Sequence, residues 1–142
     1  SRRPVRLAPG ANGTAEQFAL DAARLVSELK CSEVTLIDLR GLSPVCDFMV
    51  IASGSSERQM RSVAQRLEDL GKERGSPPYR QSRDGGDTWI VIDFVDVVVH
   101  LFEPEQRAFY DVDGMWSDAP RLRWRESADG AATASQRTRE RR

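Results

Sequence analysis

Soft metal ligands are scarce in this chain. Its 142 residues include two cysteines, Cys31 and Cys46, and a single histidine, His100. Three such side chains are too few to close a structural zinc site, and the cysteines show no close pairing motif. No apolar run approaches roughly 18 residues, so neither a membrane span nor a secretory core segment is visible. The phosphate-cradling patterns G-x-x-x-x-G-K-[ST] and G-x-G-x-x-G do not occur, and neither does the nucleophile motif G-x-S-x-G. Internal repeats are lacking too. These gaps point to a reducing, cytoplasmic protein without the common nucleotide-binding or hydrolase machinery.

A strong net charge is also missing, because the total is −1. It is unevenly spread. Residues 1–116 hold 14 Lys/Arg against 18 Asp/Glu, net −4, and residues 117–142 hold 7 Arg against 4 Asp/Glu, net +3. The mildly acidic main part argues against a nucleic-acid groove of its own. It leaves room for a basic protein partner, including one that is itself bound to nucleic acid.

What is present is an ordinary globular composition, 39% hydrophobic and 30% charged, enough for one domain with a core. Residues 1–13 mix Arg, Pro and Gly and read as disordered. Thr14 to Gln17 forms a capping-box pattern, and Phe18, Ala22, Leu25 and Leu29 follow at helical spacing to about Lys30. Val34–Leu39 and Asp47–Ser53 read as strands. Ser56 can cap a helix over 56–74, with Gln59 three residues on and a stripe of Met60, Val63, Ala64, Leu67 and Leu70. Gly71 and Gly75 act as its stop signals. Tyr79–Arg83 reads as an edge strand, flanked by Ser76-Pro77-Pro78 and Asp84-Gly85-Gly86-Asp87. Pro104 suits the start of a short helix to Tyr110, and Gly114-Met115-Trp116 closes the domain. Residues 118–142 read as a disordered, arginine-rich tail. The order α-β-β-α-β-β-β-α describes a single α/β (α+β) domain, residues 14–117, with a mixed sheet covered by helices. The helix over 56–74 can serve a crossover from the second strand to the third.

The longest apolar stretch, Trp89 to Glu103, predicts two strands, Trp89–Asp93 and Asp96–Phe102. A hairpin with Phe94-Val95 as its loop sets Asp93 opposite Asp96, Val91 opposite Val98 and Trp89 opposite His100. One face then carries Ile90, Ile92, Val97, Val99 and Leu101 and needs helices to cover it. The other carries Trp89, Val91, Asp93, Asp96, Val98, His100 and Phe102, and suits binding more than core packing. Such loops favour Gly, Asn or Asp, and Val95 is none of these, so a bulge or wider turn is an alternative.

Four candidates for chemistry follow. Gly54-Ser55-Ser56 at a helix start is able to hold a phosphate, but it equally matches a plain serine cap. Asp93 and Asp96 suggest a metal-dependent nucleotidyltransferase. Their D-x-x-D spacing and the lack of a nearby basic cluster speak instead for a carboxylate pair awaiting a cationic partner. His100 has no nucleophile triad around it. Trp89, Tyr110 and Trp116, with Arg107 three residues before Tyr110, have the composition of binding hot spots.

Three motifs now combine. Cys46-Asp47-Phe48-Met49-Val50-Ile51-Ala52-Ser53-Gly54-Ser55-Ser56-Glu57-Arg58-Gln59, then Trp89–Asp93 with Asp96–His100, then Arg107–Tyr110 with Trp116, resemble in order the Iojap family of ribosomal silencing factors. The resemblance covers about residues 14–117. It implies a nucleotidyltransferase-like fold with no transfer chemistry and no cofactor or metal, and a homodimer. It also implies binding to the large ribosomal subunit through that subunit's fourteenth protein, which sterically blocks small-subunit joining when nutrients fall. The matched positions Trp89, Asp93, Asp96, His100, Arg107, Tyr110 and Trp116 are the implied partner-binding residues. Val95 stands where the family often has Gly, Gln81-Ser82 where Glu-Gly is common, and Cys46 where Thr is frequent. The arginine-rich tail lies outside the match and is suited to non-specific ribosomal RNA contact.

Overall fold

The computed structural model describes residues 12–84 and 88–125. The elements are α1 (Asn12–Glu28), β1 (Ser32–Asp38), β2 (Phe48–Ser53), α2 (Glu57–Glu73), β3 (Arg80–Asp84), β4 (Trp89–Asp93), β5 (Val97–Phe102), α3 (Pro104–Tyr110), α4 (Val112–Met115) and β6 (Arg121–Leu122). Six strands form one mixed sheet in the order β3-β4-β5-β2-β1-β6. β2 and β5 run parallel and every other pair is antiparallel. The strand that returns parallel to β2 after α2 is therefore β5, with the β3–β4 hairpin between them in the chain, and not β3. The α/β class with a helix-covered mixed sheet is as the element order implies. Among the described residues, no helix is long and apolar enough to cross a membrane.

Alternating side chains divide the sheet's two faces. Leu36, Val50, Ile90, Ile92, Val97, Val99 and Leu101 join the α1 stripe (Phe18, Ala19, Ala22, Val26) and the α2 stripe (Met60, Val63, Ala64, Leu67) in the main core. The opposite face is lined by Ile37, Met49, Ile51, Val98 and Phe102, with Val112, Ala119 and Trp116 packed on them. Two helices thus cover one face fully, whereas a short α4 and a loop cover part of the other.

Local chemistry explains most boundaries. Ser56 accepts the Gln59 N–H at 3.0 Å, and the Gln59 side-chain oxygen accepts the Ser55 N–H at 2.9 Å. The Gly-Ser turn is thus a helix cap. The Gln59 amide also donates to the Leu29 carbonyl at 3.0 Å, tying α2 to the end of α1. The first helix begins at Asn12, so Thr14 stands inside it and not at the expected cap. It ends at Glu28, with Lys30 in the left-handed region at φ 78. Gly71 is not a stop signal, because α2 runs through it to Glu73. A Cβ there would lie 2.6 Å from the Ser76 carbonyl oxygen and 2.7 Å from the Phe94 ring. Gly71 is a close-approach residue, and the chain reverses at Gly75, φ 74.

The tail expectation needs correcting over residues 118–125. β6 pairs with β1, Leu36 facing Leu122 and Ile37 facing Arg121. Trp124 is buried and donates its indole N–H to the Val34 carbonyl at 3.0 Å. Its own carbonyl accepts from Arg24 at 2.8 Å. One large aromatic with its polar edge satisfied is enough to hold a short strand that composition alone marks as loop. The expected disorder of residues 1–13 fails at Asn12 and Gly13, which open α1; residues 1–11 and 126–142, and the glycine turn at 85–87, fall outside the described residues.

Ala in place of Gly within a helix normally stabilises. Gly71→Ala should instead lower stability by about 2 kcal/mol through overpacking. Gly75→Ala, with open space around it but positive φ, should cost about 1 kcal/mol. Urea unfolding of both variants tests the assignment, and the reverse order would contradict it.

Candidate docking face

The β4–β5 hairpin differs from the expected register by two residues. Asp93 faces Val98, Val91 faces His100, and Trp89 faces Phe102. A shift of two preserves parity, so every paired residue keeps its expected face. The turn is wider than Phe94-Val95, and Val95 sits at φ 77. The Asp96 N–H donates to the Phe94 carbonyl at 3.0 Å across Val95, as in the rare, strained γ-turn. The Asp93 carboxylate accepts the Val95 N–H at 2.8 Å and braces it.

That turn separates the two aspartates. Asp93 caps the turn at the end of β4, while Asp96 is buried and lines a cavity under α1 beside Phe18 and Phe94. The facing carboxylate pair expected from a two-residue loop does not form. The Asp96 carbonyl instead anchors the neighbouring strand by accepting the N–H groups of Asp47 and Phe48, at 2.8 and 3.1 Å.

The mixed face holds an aromatic stack. Trp89 lies 4.9 Å from Phe102, 6.0 Å from His100 and 4.4 Å from Tyr110, between ring centroids. Its indole N–H donates to His100 Nδ1 at 3.0 Å. Nδ1 must therefore be unprotonated, leaving the neutral imidazole with its proton on Nε2. Burial pushes the His100 pKa from 6.5 down to about 4, against the opposing pull of the Asp113 charge. His100 is 9% exposed and Phe102 fully buried. The imidazole is thus part of the face's interior, and only Trp89, Val91 and Asp93 remain partly accessible in β4.

Arg107 also turns inward. Its guanidinium holds Asp113 with two bonds, 2.9 and 3.1 Å, and donates to the Glu33 carbonyl (2.7 Å), Ser53 Oγ (2.9 Å) and Thr35 Oγ1 (3.3 Å). The β-bulge between Ser32 and Thr35 includes Glu33 at φ 48, and its carbonyl is one that Arg107 takes. Burial raises the Asp113 pKa, but the Arg107 bonds and charge, helped by Arg121, outweigh it and hold the carboxyl below its ordinary value. Arg107 is thus the clamp that fastens α3 and α4 to the ends of β1 and β2. Spacing placed Arg107 beside Tyr110 but contained no sign of these long-range acceptors.

The outer surface joins Tyr110 to two residues the sequence left unassigned, Phe109 and Met115. α3 buries none of its side chains. Phe109 is 78% exposed and Met115 69%, and Tyr110, 39% exposed, links Phe109 to Trp89 by ring contacts. Beside them a groove of about 320 Å³ is lined by Ser82, Arg83, Trp89, Val91 and Tyr110. Trp116 is half-buried against the face. Of the seven expected positions, Trp89 and Tyr110 come together at an accessible edge. Asp93 stands at the turn, Trp116 at the covered part, and Asp96, His100 and Arg107 lie inside the fold.

A protein-family model described as "Ribosomal silencing factor during starvation" matches residues 12–142. The ribosomal silencing factor RsfS of Halalkalibacterium halodurans is 34% identical over 99 residues, 70% of this chain and 85% of that protein. The chloroplastic protein Iojap of Zea mays is 32% identical over 106 residues, 72% of this chain and 44% of that protein. The crystal structure of a Chromobacterium violaceum protein superimposes with a TM-score of 0.65 at 26% identity, covering 74% of this chain and 85% of that one.

Two stability predictions follow from this geometry. An unfolded imidazole titrates near 6.5 and the folded one near 4, so the folded state disfavours the proton. His100 therefore contributes stability fully above pH 6.5, lost as pH falls toward 4. The loss is about 3 kcal/mol, and His100→Gln should flatten that part of the stability–pH curve. Arg107→Lys should cost about 2–4 kcal/mol, because an ammonium cannot reproduce the two-pronged grip on Asp113. Near-wild-type thermal stability of that variant would rule out the clamp.

Proposed function

Because the chain belongs to the family of ribosomal silencing factors, we propose that it docks on the large ribosomal subunit and silences translation by occupying the space of the small subunit. The observation that carries this reading is the exposed pair Phe109 and Tyr110 on α3, continuous through Tyr110 with the Trp89 stack, with Met115 exposed on α4. Large apolar side chains exposed at the edge of a packed stack act as interface anchors. The subunit's fourteenth protein is the proposed contact, met by this rim, with Asp93 and Trp116 at its margins. Occupancy alone accounts for the effect, with no bond made or broken. The site of action is the cytoplasm. A second copy of the chain joins as a homodimer. The arginines after residue 117 add salt-sensitive, sequence-independent contact with ribosomal RNA.

Sedimentation with separated large subunits tests the proposal. The protein should travel with free large subunits and only weakly with joined ribosomes. The double variant Phe109→Ala/Tyr110→Ala should weaken that association about tenfold or more. Its unfolding free energy should stay within about 1 kcal/mol of the parent, as expected for surface changes. Undiminished co-sedimentation of the double variant would show that another surface docks.

A further inference from the structure

The sheet ends in two unlike strands. β3 is outermost on one side, and its residues Arg80, Gln81, Ser82, Arg83 and Asp84 are all polar. Charge on an outer strand discourages a second chain from pairing with it. β1 is the last long strand on the other side, and it carries Val34, Leu36 and Ile37. Branched and apolar residues on an open edge invite further pairing. Among the described residues, the charged strand stands uncovered and the apolar one does not.

The cover is the segment 119–125. The Leu39 N–H bonds inward to the Asp47 carbonyl at 2.8 Å, so the backbone groups of Asp38 and Leu36 turn to the outer edge. The Asp38 N–H donates to the Pro120 carbonyl at 2.9 Å, Leu36 pairs with Leu122, and the Val34 carbonyl takes the Trp124 indole N–H at 3.0 Å. Both ends of the segment are tied down. Arg121 donates to the carbonyls of Trp116, Ala119 and Asp113, and Arg24 holds the Trp124 carbonyl. The cover is itself a poor template, with two residues in strand, a proline at 120 and arginines at 121, 123 and 125. Shortness, proline and charge are the means by which outer strands avoid pairing.

We propose that residues 119–125 guard the β1 edge against a second copy of this chain. With the guard displaced, β1 of one copy pairs antiparallel with β1 of another. Such a pair is two-fold symmetric, so a single uncovered edge supplies both halves of the interface. Every copy carries that edge, and no other partner is needed. β5 and β2 separate β1 from β4 in the sheet, so the inference stands apart from the ribosomal reading.

Light scattering on the full chain, as parent and as variants, tests it. Leu122→Pro removes a ladder donor from β6, and Trp124→Ala removes the indole anchor. Either variant should associate as concentration rises, into a species of at least twice the parent's mass, whatever that mass is. Leu122→Pro leaves Trp124 in place, so it carries the test if Trp124→Ala fails to fold. Adding Val34→Lys to either variant sets like charges within the proposed strand pair and should restore the parent's mass. Cooperatively folded guard variants that keep the parent's mass, or association that persists with Val34→Lys, would overturn the inference. Mass is read against the parent and without ribosomes, so failure here does not imitate failure of the docking proposal.

Discussion

Parity along β4 and β5 is the constraint on which the rest of this structure depends. A side chain on a strand changes face only if the chain slips by an odd number of residues. Ile90, Ile92, Val97, Val99 and Leu101 form an uninterrupted apolar set on one side. Exposing that set to water would cost on the order of 1.5–3 kcal/mol for each large aliphatic side chain. The helical stripes of α1 and α2 therefore hold the sheet to one choice of face. Trp89, Val91, His100 and Phe102 are then committed to the other side, whatever the turn between the strands does.

The second face is finished differently. Instead of two long helices it has α4, a loop and a guanidinium. Arg107 joins α3 and α4 to the carbonyl and hydroxyl groups at the ends of β1 and β2. That clamp seals His100 and Phe102 while leaving Trp89 half-covered at the edge. An α3 with no buried side chain then carries Phe109 and Tyr110 outward. An interior polar knot and an exterior apolar rim are thus two results of one short helix.

Family membership gives these surfaces a context, since the relatives are named as ribosomal silencing factors. The geometry redistributes the matched motifs. Residues that look like one patch along the chain divide into an accessible pair, a buried imidazole, an internal clamp and a carboxylate on the far side. A matched motif here includes residues that build the face as well as residues able to meet a partner on it. The exposed apolar surface accordingly lies on α3, and Asp96 lies under α1 with its carbonyl holding the start of β2.

Much of the fold could be read in the chain itself. Periodicity marked α1, α2 and the strands, Ser56 with Gln59 marked a cap, and alternation in β4 and β5 assigned both faces, because these signals are local. The sequence alone determined which side chains must share a face. Tertiary structure decided the rest. A two-residue shift was invisible because parity is blind to it, and Gly71 looked like a stop because its contact, Phe94, lies far along the chain. Trp124 sat in a segment of loop-like composition, and its partner Val34 belongs to the other end of the domain. Arg107 looked like a surface anchor because the groups that bury it are brought together only when the ends of β1 and β2 meet α3 and α4.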